Sequence, residues 1–167
     1  ILTKLNNLIE DVDTNYEKFE FGEVARSLYN FIWNDFASWY VELTKVDLQA
    51  KNEYYESTMN VLAYVLEAVI KLVHPFMPFV TEEIYQSLPT KKEASICIAS
   101  WPTVNEAYNF EEELKVMDLG CDIISSVRTI RTDLNHPMSK PITLNLEASV
   151  HVISQIASIE PYIVKFT

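Results

Sequence analysis

Only two of the 167 residues are glycine, Gly22 and Gly120. Glycine supplies the positive-φ positions that tight turns need, so the chain has few places to reverse direction sharply. A turn-rich β-sandwich is therefore a poor candidate. Glycine-rich phosphate loops are excluded, because they require several glycines at fixed offsets. A mainly helical fold remains, and the apolar spacing supports it. Leu2, Leu5, Ile9, Val12, Tyr16 and Phe19 recur in steps of three and four, the stripe of an amphipathic helix.

Phe19–Gly22 reads as a break. Phe21, Ala25, Leu28, Ile32, Phe36, Trp39 and Leu43 then predict a second helix, with Tyr29, Trp33 and Tyr40 on its other face. The polar stretch Lys45–Asn52 leads to a third helix over Tyr55–Val73, ended by Pro75. Thr81 is the expected N-cap of a short fourth helix, Glu82–Leu88, closed by Pro89. Ser95–Ser100 reads as extended. Asn109 with Glu112 resembles a capping box for a fifth helix, about Phe110–Asn135, in which Gly120 invites close approach of another helix. After Pro137, Ile142, Leu144 and Leu146 alternate with polar residues as in a half-buried strand, and a lone strand lacks sheet partners. Val150–Ile159 reads as a helix ended by Pro161. The expected organisation is a helical bundle over 1–136 and the truncated start of a small α/β subdomain over 137–167, with 149–167 the least stable part.

Hydrophobic residues make up 49% and charged residues 22%, which fits a folded domain rather than a disordered chain. A net charge of −11 rules out non-specific capture of polyanions by the whole surface. Cys97 and Cys121 lack metal-ligand spacing and read as reduced thiols. No apolar run reaches membrane-spanning length. The chain enters helical periodicity at Ile1, as expected of a piece of a longer protein.

No catalytic, cofactor-binding or metal-ligating residues are expected. His74, His136 and His151 fit no metal pattern, and His74 suits a helix C-terminus. Glu82–Glu83 and Glu111–Glu113 read as charges at helix starts, and the serines lack a nucleophile elbow. One basic cluster stands against the acidic background: Arg128, Arg131 and Lys140, beside His136 and opposed only by Asp133. Arg128 and Arg131 are three apart, share a helix face and could grip a phosphate backbone; the plainer alternative is charge favouring a helix C-terminus. Phe31, Trp33, Trp39 and Tyr40 could stack on bases, but at helical spacing they read as core.

Several of these stretches resemble one family in order and spacing. FEFGEVARSLYNFIWNDFASWYVELTK (Phe19–Lys45) is similar to the long second helix of the anticodon-binding domain of valyl-tRNA synthetases. ILTKLN (Ile1–Asn6), HPFMPFVTEEIYQSLP (His74–Pro89), the stretch ending in Trp101-Pro102, and VRTIRTDLNHPMSKPI (Val127–Ile142) fit the same class Ia group. The likeness covers about Ile1–Ala148. It implies a bundle that docks the anticodon arm of valine tRNA within a cytoplasmic ligase using ATP with magnesium. The family's catalytic domain, with HIGH and KMSKS motifs, and its editing domain would precede Ile1, and a coiled coil would follow Thr167. Met138-Ser139-Lys140 lacks the pattern around KMSKS.

On this resemblance Arg128, Arg131 and Lys140 are the expected RNA-backbone contacts, with Arg26 and Asn135 as weaker candidates. Neutralising three phosphates implies a salt slope of about −2. The alternatives are the equivalent domain of an isoleucyl enzyme, or a helical module for a protein partner.

Overall fold

A computed structural model describes residues 1–89 and 91–167, which divide into two compact units, Ile1–Asn109 and Phe110–Thr167. In the first, α1 (Leu2–Glu17) packs on α2 (Phe21–Asn30) and on α4 (Tyr55–Val73). The α1 stripe read from the sequence is the buried one: Leu5, Ile9 and Val12 meet Val24 and Leu28 of α2 and Val65, Val69 and Leu72 of α4. Between α1 and α2 it is Phe19, not Gly22, that takes the left-handed conformation, with φ of 59°. The Glu20 amide donates to the Asn15 carbonyl and the Phe19 amide to that of Tyr16, so the helix end is closed by a Schellman motif. Gly22 lies inside α2 with open space around it.

The long second helix changes character halfway. Phe31–Tyr40 is a π-helix, after which α3 (Val41–Ala50) resumes α-helical bonding. Bonding from i to i+5 widens the turn, so apolar positions spaced for an α-helix lose their common face. Within the segment only Phe31 is fully buried, while Trp33 is 56% exposed.

Helix α5 spans Pro78–Ser87, and Thr81 is not its N-cap. Pro78 sits at the first turn, where a missing N–H costs nothing. Thr81 lies one turn in, 2% exposed, and its hydroxyl donates to the Met77 carbonyl at 2.8 Å. Ser95–Ser100 is not an extended strand. Ile96–Ile98 forms a 3₁₀ turn, buried at Ile96 against Ile70 and Tyr85.

Glu82 is what holds that turn. Its carboxylate accepts from the Gln86 side chain at 2.6 Å, the Ser95 hydroxyl at 2.8 Å and the Ile96 amide at 3.1 Å. Bonds from Gln86 and then Ser95 hold its carboxyl below the usual carboxylate range. A depressed folded value gives stability that is present above the usual carboxylate value and lost as pH falls below it. Glu82→Gln should therefore flatten the acid limb of a plot of first-unit stability against pH. An unchanged acid limb in urea titrations followed by tryptophan fluorescence would dismiss this role.

The second unit is α6 (Glu111–Asp133), α7 (Val150–Ala157) and α8 (Glu160–Phe166). Asn109 makes no capping box. Phe110 is the N-cap of α6 without a side-chain bond, and Asn105 instead caps the 3₁₀ turn Glu106–Tyr108. Pro161 does not end the helix before it; it starts α8. Ile124 and Val127 of α6 are buried with Ile156, Ile159 and Ile163. Gly120 has the close approach expected of it, since a Cβ there would lie 2.5 Å from Ile159 Cδ1. Residues 141–149 form no ladder, and there is no strand among the described residues. Ile142, Leu144 and Leu146 line one wall of a groove of about 770 Å³ faced by Ile153, Ile156 and Ile163.

Candidate nucleic-acid interface

The basic cluster lies at the C-terminal end of α6, and its members do different things. Arg131 is 5% exposed. Its guanidinium donates to the carbonyl oxygens of Thr167, Pro137 and Lys140, each at 2.6 Å. These donors are committed to the chain's own backbone, so Arg131 ties α6 to the segment after it and to the end of α8. Arg128 is exposed on the next turn back. Its Nε donates to the Phe166 carbonyl at 2.9 Å, and the guanidinium lies 5.7 Å from the centre of the Phe166 ring. Lys140 is exposed. Arg128 and Lys140 thus present charge, while Arg131 does not.

Asn135 has a backbone reason for its identity. It takes φ of 51°, its amide donates to the Thr132 carbonyl, and the His136 amide donates to that of Arg131 at 2.8 Å. This is a second Schellman motif, and asparagine tolerates the left-handed position better than most residues.

Arg26 belongs to the first unit, where it pairs with Glu23 at 3.2 Å on an exposed face. One helical turn on stands Tyr29, 62% exposed, and its ring centre is 6.2 Å from that of Trp33. Phe31 is core as expected, and Trp39 and Tyr40 are half-buried, but Trp33 is not core. Arg26, Tyr29 and Trp33 form a face with one cation and two aromatic rings. Such a face suits unstacked bases, which are held by stacking with a positive charge beside them. Spacing of i, i+3 and i+7 was the available signal; that Trp33 is exposed on this face rather than packed was not visible in the sequence.

Among the described residues no group of three His, Cys, Asp or Glu side chains could hold a metal ion. No described helix is long and apolar enough to cross a membrane.

Residues 1–148 match the family described as the anticodon-binding domain of tRNA ligase. The chain is 48% identical to a valine–tRNA ligase of Bacillus cereus and 49% identical to that of Anoxybacillus flavithermus, in each case across 99% of this chain and 19% of the relative. With the valine–tRNA ligase of Listeria monocytogenes it shares 50% identity over 88% of this chain and 17% of the relative. The chain spans about a fifth of the length of these relatives.

Proposed function

The chain belongs to the anticodon-binding domain family of tRNA ligases, and from that membership we propose that it is the anticodon-arm recognition module of a valine–tRNA ligase. Near-half identity to valine enzymes along almost its whole length carries the choice of valine over isoleucine. The whole ligase would activate valine with ATP and magnesium and transfer it to valine tRNA in the cytoplasm. Catalytic, editing and coiled-coil domains elsewhere in that protein would supply the chemistry, and no step of it is assigned to residues of this chain. Residues 1–136 would form the docking bundle and 137–167 the beginning of a further subdomain.

Recognition would use two kinds of contact. Tyr29 and Trp33 would stack on splayed bases of the anticodon loop beside Arg26. Arg128 and Lys140 would meet phosphates, which position RNA without reading its sequence. Arg131 would act by holding the second unit's backbone, and Asn135 by closing α6.

Fluorescence anisotropy with labelled valine tRNA, and isoleucine tRNA as competitor, tests the reading. Trp33→Ala should weaken binding by about 1–3 kcal/mol, the worth of one stacked base. Arg128→Ala with Lys140→Ala should weaken binding to both tRNAs alike and reduce the salt slope by about 1–2. Equal affinity of the unaltered chain for both tRNAs would remove the valine assignment. Absence of binding at low salt would place recognition elsewhere in the ligase.

A further inference from the structure

One cluster of nucleophilic and titratable side chains lies apart from the residues proposed for RNA recognition. His74 is the C-cap of α4, Thr81 is buried in α5, and Cys97 presents an exposed thiol on the 3₁₀ turn. His74 Nδ1 lies 2.7 Å from Thr81 Oγ1, and Nε2 lies 3.3 Å from Cys97 Sγ.

Thr81 has one hydroxyl hydrogen, and two backbone carbonyl oxygens are placed to accept it, Met77 at 2.8 Å and Pro78 at 3.2 Å. With that hydrogen on a carbonyl, the Thr81 oxygen accepts from the imidazole. In that arrangement His74 carries its proton on Nδ1 and turns the Nε2 lone pair towards the thiol. A base oriented by a third group and in reach of a nucleophile is the arrangement that activates a thiol.

The sulfur is held in place from the other side. Glu82 accepts from Ser95 and from the Ile96 amide, and the Ser95 oxygen accepts from the Cys97 amide at 3.2 Å. The thiol thus sits on a turn pinned to the same helix that carries Thr81.

We propose that Cys97 is an activated thiol that exchanges with small-molecule disulfides, with His74 as its proton acceptor. His74 Nε2 takes the S–H proton, and the Cys97 sulfur forms a bond to one sulfur of the disulfide. The disulfide's own S–S bond breaks, and its other sulfur leaves with the electron pair. The leaving thiolate then takes the proton from His74, so one disulfide is consumed, one mixed disulfide forms and one small thiol is released. The added group replaces the His74–Cys97 bond and stands beside the turn between α4 and α5.

The probe is 4,4′-dithiodipyridine, a neutral disulfide, because a net charge of −11 would slow an anionic reagent whatever the thiol's reactivity. The full chain carrying Cys121→Ser leaves Cys97 as its one thiol. Cys97 should react about tenfold faster than N-acetylcysteine under the same conditions, and His74→Gln should remove most of that advantage. Thr81→Val, which takes away the acceptor for Nδ1–H but keeps the side-chain volume, should slow the reaction part of the way. Circular dichroism accompanies each variant. A loosened turn would expose the sulfur and speed the reaction, the opposite sign. A rate equal to that of N-acetylcysteine, or rates unmoved or raised by both substitutions, would overturn the proposal.

Discussion

Arg131→Ala should destabilise the unit Phe110–Thr167 by about 3 kcal/mol or more. Hydrogen bonds from a charged donor contribute about 1.5–3 kcal/mol each, and removing a buried charged partner leaves its acceptors unpaired. Three carbonyl oxygens lose their donor at once: Thr167 at the end of the chain, and Pro137 and Lys140 after α6. Arg131→Lys should recover only part of the loss, since one ammonium cannot reproduce a planar fork aimed at three oxygens. Arg128→Ala is the contrast. Its guanidinium is exposed and makes one bond to the Phe166 carbonyl plus a ring contact, worth about 1 kcal/mol together. Hydrogen-exchange mass spectrometry reads both. Arg131→Ala should release protection in peptides covering 150–167, while Arg128→Ala leaves them protected. Unchanged protection in Arg131→Ala would mean that the three bonds add nothing. A loss of tRNA affinity in Arg131→Ala follows from the altered fold, so Arg128 and Lys140 are the positions that test phosphate contact.

Arg131 also marks where sequence reading stops. Its spacing from Arg128 puts both on one helix face, but spacing does not reveal that three carbonyl oxygens lie within reach of only one of them. The helices themselves were legible wherever an amphipathic stripe runs unbroken. Leu5, Ile9 and Val12 were placed in the core by periodicity, because burial on one face leaves a period of three to four residues. Along α4 the helix was legible, but its fully buried positions facing α1 and α2 are Val65, Ala68, Val69 and Leu72. Helix ends were less legible. Thr81 has a side chain suited to an N-cap, yet Pro78, pre-set for the first turn, starts α5 three residues earlier. Phe19 adopts a left-handed conformation that its residue type disfavours, so nothing local announces it. The alternation at Ile142, Leu144 and Leu146 was read as a half-buried strand, and the structure forms none there. A ladder needs a second strand, and no other described segment supplies one. The basic cluster was read from its charge contrast with an acidic chain. Tyr29 and Trp33 were placed on one face by spacing, but Trp33 was read as core, because spacing shows which residues share a face and not whether that face is covered.

Leu72→Ala should cost the first unit about 2–5 kcal/mol, the range for truncating a fully enclosed leucine. Leu72 has 0% exposure and sits in the cluster formed with α1 and α2, where a cavity can close only by moving helices against one another. Leu72→Met, which nearly preserves volume, should cost less than about 1.5 kcal/mol. The readout is specific, because all three tryptophans, Trp33, Trp39 and Trp101, belong to Ile1–Asn109. Their fluorescence in urea follows this unit alone. The midpoint for Leu72→Ala should fall well below that of the unaltered chain, with an unchanged slope against urea. A midpoint within experimental scatter of the unaltered chain would mean that α4 is not the centre of this core. The same variant separates scaffold from contact. Leu72 touches no RNA in the proposed docking, so under conditions where the variant stays folded its tRNA affinity should match that of the unaltered chain. Trp33→Ala should do the reverse, leaving the urea midpoint almost in place while lowering affinity, because an exposed ring contributes little to the core and much to a stacked base.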